Sequence, residues 1–131
     1  MANPQALIGA VSAAQAVERV GLPEAQLILA QAAVLVAVSP KSNSCTEGIF
    51  AARKAVRENT VTIPPYLQDA HYKGSAGLGR GIGYEYAHDY PKHFSRQRYL
   101  PEELKDAHFY EPSELGYEKE VRRYLEWLRE E

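Results

Sequence analysis

Cysteine, methionine and tryptophan occur once each among the 131 residues, and aromatic side chains are nearly missing from the first half of the chain. The lone Cys45 cannot close an internal disulfide, which fits a reducing compartment. Long hydrophobic runs are also missing. The longest, Leu27 to Val38 broken by Gln31, is too short for a bilayer core of about 30 Å. No basic segment precedes an apolar stretch at the start, so no secretory signal is expected. An excess of one charge sign is lacking too: 15 Lys and Arg face 17 Asp and Glu, a net charge of −2. That excludes attraction to DNA or an acidic membrane by bulk charge and leaves only a local patch open. What is present, 45% hydrophobic and 24% charged residues, is an ordinary globular balance for one domain. The expectation is a soluble, cytoplasmic domain.

The composition changes near Ile63-Pro64-Pro65. Before it the only aromatic residue is Phe50; all nine tyrosines, Phe94, Phe109, Trp127 and the four histidines lie beyond. This predicts one domain, residues 1–131, with a helical core over about 4–58, a Gly/Tyr-rich segment over about 59–112 wrapped on it, and a C-terminal helix over about 116–130.

Three helices are predicted in the first half. Asn3-Pro4 is a start signal, since Asn caps free amides and Pro fits the first helical position. Gly21-Leu22-Pro23 closes that helix. Pro23-Glu24 opens the next, which is apolar almost all round from Leu27 to Val38 and is expected to be the central, fully buried one. Ser39-Pro40 ends it. Ser42 or Ser44 caps a third helix, with Glu47 completing a capping box. Its apolar face is read as Cys45, Ile49, Ala52 and Val56, with alanines on all three helices allowing close approach.

The second half is less periodic. Thr60 to Pro65 reads as an extended crossing, Pro65 to Ala70 as a short helical turn, and Lys73 to Gly83 as a glycine-dense loop. Tyr84 to Arg98 reads as irregular chain, Pro101 to Leu104 as one helical turn, and Glu111-Pro112-Ser113 as a turn. In the last helix, Tyr117, Val121, Tyr124, Leu125 and Leu128 form the apolar stripe and Glu118–Arg122 an i, i+4 ion pair.

No enzyme signature emerges. Gly74 to Gly79 has the spacing of a phosphate-binding loop, but Arg80-Gly81 follows where Lys and Ser/Thr are required. The glycines at 77, 79, 81 and 83 alternate and follow no strand, so they do not form a dinucleotide fingerprint. They are better explained by backbone turns that need glycine. His88 and His93 lack the partners of a metal site. Cys45, on an apolar helix face, reads as a small hydrophobe.

The segment His71 to Tyr99 is the one candidate surface. Lys73, Arg80, Lys92, Arg96 and Arg98 face only Glu85 and Asp89 there, and five tyrosines interleave with them. Basic residues among aromatic rings suit a nucleic-acid surface, where cations hold phosphates and rings stack on bases. The competing reading, that the tyrosines pack and the arginines bond loop carbonyls, is the better supported.

Several blocks carry a resemblance: "NPQAL" at 3–7, "LAQAAVLVAVSPKSNS" at 29–44, "DAHYKG" at 69–74, "GIGYEYAHDYP" at 81–91, "YLPEEL" at 99–104 and "FYEPSELGYE" at 109–118. In this order they resemble the C-terminal domain of the MgsA/RarA family of AAA+ ATPases, replication-associated recombination proteins related to the Werner-helicase-interacting protein. The resemblance spans nearly the whole chain. It implies an all-α fold, a compact helical bundle similar to a clamp-loader collar domain, that assembles the ATPase into a homotetramer. It implies action at stalled forks in DNA replication, recombination and repair, with DNA and single-strand-binding protein as partners, a nucleoid-associated location and no membrane. ATP and Mg²⁺ are implied for the ATPase module. No Walker A, Walker B or arginine-finger region is present, and the start at Met1-Ala2-Asn3 reads as a cut just inside the domain. By itself the segment is expected to be no enzyme and to hold no cofactor and no metal. The alternative role is DNA contact through residues 71–99.

Overall fold

Asn3 sets the first helix as its sequence context requires. Its side chain accepts the Gln5 N–H at 3.0 Å, Pro4 takes the first helical position, and Gly21 at φ 75° ends α1 (Pro4–Val20). A computed structural model describes residues 1–69, 76–78 and 80–130. Among them the regular elements are α1, α2 (Ala25–Val38), α3 (Ser44–Glu58) and α4 (Glu118–Arg129), with short 3-10 turns and no strand. The fold is all-α. The chain forms two compact units, Met1–Thr46 with Tyr110–Trp127 and Glu47–Phe109 with Leu128–Glu131, so the boundaries fall within α3 and α4.

In the first unit α1 and α2 form a helical hairpin across a seam of small residues. Gly9, Ala13 and Ala16 of α1 line a shallow cleft with Ile28, Ala32 and Leu35 of α2. A Cβ on Gly9 would lie 2.6 Å from Leu35 Cδ2, so the Leu35 side chain packs directly on the space that glycine leaves. The C-terminal end of α2 is tied twice. Ser39 donates to the Leu35 carbonyl at 2.5 Å and accepts from Asn3 Nδ2 at 2.7 Å, linking the end of α2 to the start of α1. Lys41 donates from Nζ to the carbonyls of Val36, Ala37 and Ser39, a cation on the negative end of the helix.

The expectation that α2 is fully buried is overturned. Ala25, Ile28, Ala32, Leu35 and Ser39 turn inward, at spacings of three, four, three and four, while Leu27 and Val38 are each 74% exposed. One helical neighbour covers one stripe; an uncharged composition does not supply a second. Of the face assigned to α3 only Ala52 is covered. Cys45, Ile49 and Val56 are exposed, and the covered positions are Gly48, Ala52 and Ala55. Cys45 is therefore not a buried hydrophobe. On α4, Val121 and Leu125 are half-buried and Leu128 buried, whereas Tyr117 and Tyr124 keep about half their surface in water.

In the second unit irregular chain is held by side-chain bonds. A 3-10 turn at Pro65–Leu67 follows Pro64, and the Pro65 carbonyl accepts from the Gly81 N–H at 2.9 Å. Gly81 and Gly83 take φ 73° and 86°, the conformation that glycine adopts without steric cost. Further 3-10 turns lie at Ala87–Asp89, Pro91–His93 and Glu102–Leu104. The turn expected at 111–113 falls later, at 114–117.

Gly116 marks a close approach of backbone to backbone in the first unit. At φ 54° its missing Cβ would stand 2.1 Å from the Ala2 carbonyl oxygen and 2.7 Å from Pro40 Cγ, while the next residue, Tyr117, donates its N–H to that same carbonyl at 2.8 Å. Gly116→Ala is expected to destabilise the chain by about 2–4 kcal/mol, combining left-handed strain with overpacking. Urea denaturation followed by circular dichroism measures it.

Candidate functional site

Two clusters concentrate polar chemistry, one in each unit. In the first, Glu118 opens α4 with a side chain wholly withdrawn from solvent. Its Oε2 accepts from the Ser42 hydroxyl at 2.7 Å and the Ser113 N–H at 2.9 Å. Its Oε1 accepts from the Met1 ammonium at 2.5 Å, the Tyr110 hydroxyl at 3.0 Å and the Ser44 hydroxyl. A carboxylate at a helix N-terminus also meets the positive end of the peptide dipoles.

The charge balance of this cluster is worked out by opposing effects. Burial by itself pushes the Glu118 carboxyl up. The Met1 ammonium, the Ser113 N–H and the hydroxyls of Ser44 and Ser42 outweigh burial and hold it well below the usual carboxylate range. Burial and the bond to Glu118 push the Tyr110 phenol up. The cluster is a fixed anion with its donors consumed, which suits anchoring rather than proton transfer. It also displaces a sequence expectation: Glu118 is engaged here, and Arg122 pairs instead with Glu114 at 3.0 Å and donates to the Pro112 carbonyl at 2.5 Å.

The sequence reading named Glu118 only as the partner of Arg122 and not as a buried anion. Neither a capping box nor an acid–base spacing marks it, and its partners are 74 to 117 positions away, apart from Tyr110 and Ser113. Only the block "FYEPSELGYE" drew attention to the stretch.

In the second unit Ser95, nearly buried, donates to the Glu85 carboxylate and accepts the Gln97 N–H at 2.9 Å. Gln97 in turn donates to the Gly83 carbonyl at 2.7 Å and accepts the Glu85 N–H at 3.2 Å. Beside this ladder lies a groove of about 470 Å³ lined by Glu85, Tyr90, Pro91, Lys92, Phe94, Arg96, Leu128 and Glu130. Desolvation, with Glu85 adding to it, pushes the Tyr90 phenol up.

The five basic residues expected at a nucleic-acid surface have these places. Lys92 donates to the Glu130 carbonyl at 2.9 Å and Arg96 to the Arg129 carbonyl at 3.1 Å, so both cations sit at the C-terminal end of α4. Lys92 and His93 both have positive φ, 61° and 49°, an uncommon conformation for residues with a Cβ. Arg98 is ion-paired with Glu102, and its carbonyl accepts from Tyr66 at 2.6 Å. Arg80 is half-buried. Lys73 lies outside the described residues. Lys92 and Arg96 thus come together at one helix end, and Arg98 belongs to a separate ion pair.

His88 and His93 meet at 5.0 Å between ring centroids with the rings tilted by 56°, and Tyr86 meets His88 at 5.1 Å. Among the described residues no group of three His, Cys, Asp or Glu side chains is arranged to hold a metal, and no helix is long and apolar enough to cross a membrane.

Comparison with known proteins gives this geometry a context. Residues 1–129 match the family described as MgsA AAA+ ATPase C terminal. The chain is similar to replication-associated recombination protein A of Bacillus subtilis, 44% identical over 117 residues, covering 88% of this chain and 28% of that protein. The Escherichia coli K12 protein of the same name is 33% identical over 132 residues, covering 99% and 30%. ATPase WRNIP1 of Dictyostelium discoideum is 34% identical over 113 residues, covering 85% of this chain and 13% of that protein. The chain spans less than a third of the length of these relatives. It belongs to the MgsA AAA+ ATPase C-terminal family.

The Glu118 cluster generates a test. Glu118→Gln removes the charge that five donors address and is expected to cost about 2–4 kcal/mol at neutral pH. The sign of the acid dependence follows from the lowered carboxyl: its contribution is complete above the unfolded-state value of about 4.3 and is lost progressively as the pH falls below it. The native chain should lose stability from about pH 4.5 downward, with a smaller slope in Glu118→Gln, as read by urea midpoints across that range.

Proposed function

We propose that this C-terminal domain assembles the AAA+ ATPase to which it belongs into a homotetramer, for work in DNA replication, recombination and repair at stalled forks. The observation that carries the reading is the apolar surface of the α1–α2 hairpin. Leu7, Ile8 and Val11 of α1 and Leu27, Val34 and Val38 of α2 are each half or more exposed. A solvated helix face is ordinarily polar, so exposed aliphatic side chains on both helices are surface available for association. Covering six such side chains, at up to about 1.5–3 kcal/mol each, is comparable with the roughly 4–15 kcal/mol lost on association. The role in recombination comes from the names of the relatives; single-strand-binding protein and DNA as partners of the intact protein come from the family resemblance alone.

ATP and Mg²⁺ belong, in this reading, to the part of the relatives beyond this segment. The residues present do not fit the nucleotide: Arg80-Gly81 stands where the phosphate loop needs Lys and a hydroxyl. Direct DNA contact by residues 71–99 has weaker support, because Lys92 and Arg96 are engaged with the Glu130 and Arg129 carbonyls and Arg98 with Glu102.

Two measurements test the reading. Sedimentation equilibrium in the micromolar range should show self-association, with tetramer as the largest regular species; a monomer at every concentration overturns the proposal. Calorimetric titration with Mg-ATP should give no saturable heat, and micromolar binding would place nucleotide chemistry in this segment.

A further inference from the structure

We infer that His88 and His93 form an open two-histidine site for a borderline divalent transition metal ion, the class to which zinc and nickel belong. The inference is independent of the oligomerisation reading above. The two residues stand five apart, a spacing that puts side chains on different faces of a regular helix or strand. What brings them together is a pair of consecutive 3-10 turns, Ala87–Asp89 and Pro91–His93. The Asp89 N–H donates to the Tyr86 carbonyl at 2.9 Å and the His93 N–H to the Tyr90 carbonyl at 3.1 Å. Lys92 and His93 both take left-handed φ, 61° and 49°, and the second turn closes with the two imidazole centroids 5.0 Å apart. Two successive residues with a Cβ are held in that region at a steric cost, and such cost gathers at ligand clamps. Lys92 anchors the turn by donating from Nζ to the Glu130 carbonyl at 2.9 Å.

The separation suits shared coordination. With an imidazole nitrogen about 2.0–2.1 Å from zinc and its ring centre about 1 Å further on, two imidazoles on one tetrahedral ion have centroids about 5 Å apart. The rings are tilted by 56° and both residues are exposed, so rotation about the last side-chain torsion brings one nitrogen of each into the space between them. Tyr86 meets the His88 ring at 5.1 Å and narrows the positions that ring can take. Among the described residues no hydrogen bond ties either imidazole. The donor type selects the ion. Imidazole suits zinc, nickel and copper, whereas magnesium and calcium take oxygen ligands. Among the described residues no third His, Cys, Asp or Glu completes the set. Two protein ligands leave the other positions to water or to a donor on another molecule, so the ion binds reversibly and not as a closed structural centre.

Zinc titration of this chain tests the site, in a Cys45→Ser background because the Cys45 thiol is exposed and is itself a zinc ligand. Calorimetry should show one Zn²⁺ per chain and no saturable heat with Mg²⁺. Binding should be at least tenfold weaker in His88→Gln and, equally, in His93→Gln, while His108→Gln binds within twofold of the background. In NMR spectra of the background chain, the ring signals of His88 and His93 should shift together and stop at one equivalent of Zn²⁺. If either variant loses its helicity by circular dichroism, these ring signals decide. A loss confined to one of the two variants, or ring signals that respond at different zinc concentrations, overturns the shared site. Unchanged affinity in both variants places the ion elsewhere and overturns it as well. Saturation of the same signals by Mg²⁺ overturns the class of ion.

Discussion

A carboxylate withdrawn from water is costly until donors answer it, and Glu118 draws them from four stretches: the N-terminus, the Ser42–Ser44 link, Tyr110 and Ser113. This ties the beginning of the first unit to its last helix. Nearby, Gly116 admits the Ala2 carbonyl and Pro40 at distances that any side chain would forbid. The charge and the glycine act together: one fixes where α4 starts, the other lets the chain come close enough for the donors to reach. Such a cluster is satisfied as a whole or not at all, since a remaining buried charge without its donors costs more than the bonds themselves return.

The helical hairpin follows a different principle. Its seam sets small residues of α1, Gly9, Ala13 and Ala16, against Ile28, Ala32 and Leu35 of α2, so few large side chains are buried between the helices. The large aliphatic groups of both helices are left outward. Stability within the unit is thereby carried more by caps, by Lys41 on the α2 carbonyls and by the Glu118 cluster than by an aliphatic core of its own. The apolar surplus is what a domain built for assembly needs, and this is where the proposed tetramer takes its driving force.

In the second unit basic side chains also serve the protein's own backbone and carboxylates. Lys92 and Arg96 meet the free carbonyls at the end of α4, and Arg98 meets Glu102. Irregular backbone leaves many polar groups without ladder partners, and long cationic side chains are suited to reaching them. Ser95 and Gln97 serve the same need with neutral groups.

Sequence by itself determined the local elements. Asn3-Pro4, Gly21 and Ser39-Pro40 placed helix ends because caps and prolines act within a few residues of themselves, and the ordered blocks identified the family. Composition could not tell which face of α2 or α3 is covered, because an apolar or alanine-rich helix has no strong stripe to orient it. Nor could spacing reveal Glu118 or Gly116, whose meaning depends on atoms that are neighbours only after folding. Glu118 read as one half of a surface pair with Arg122; the tertiary structure made it a buried anion. The physical reason is range: hydrogen-bond caps and backbone sterics are written in adjacent residues, whereas burial is decided by whatever the rest of the chain brings into contact.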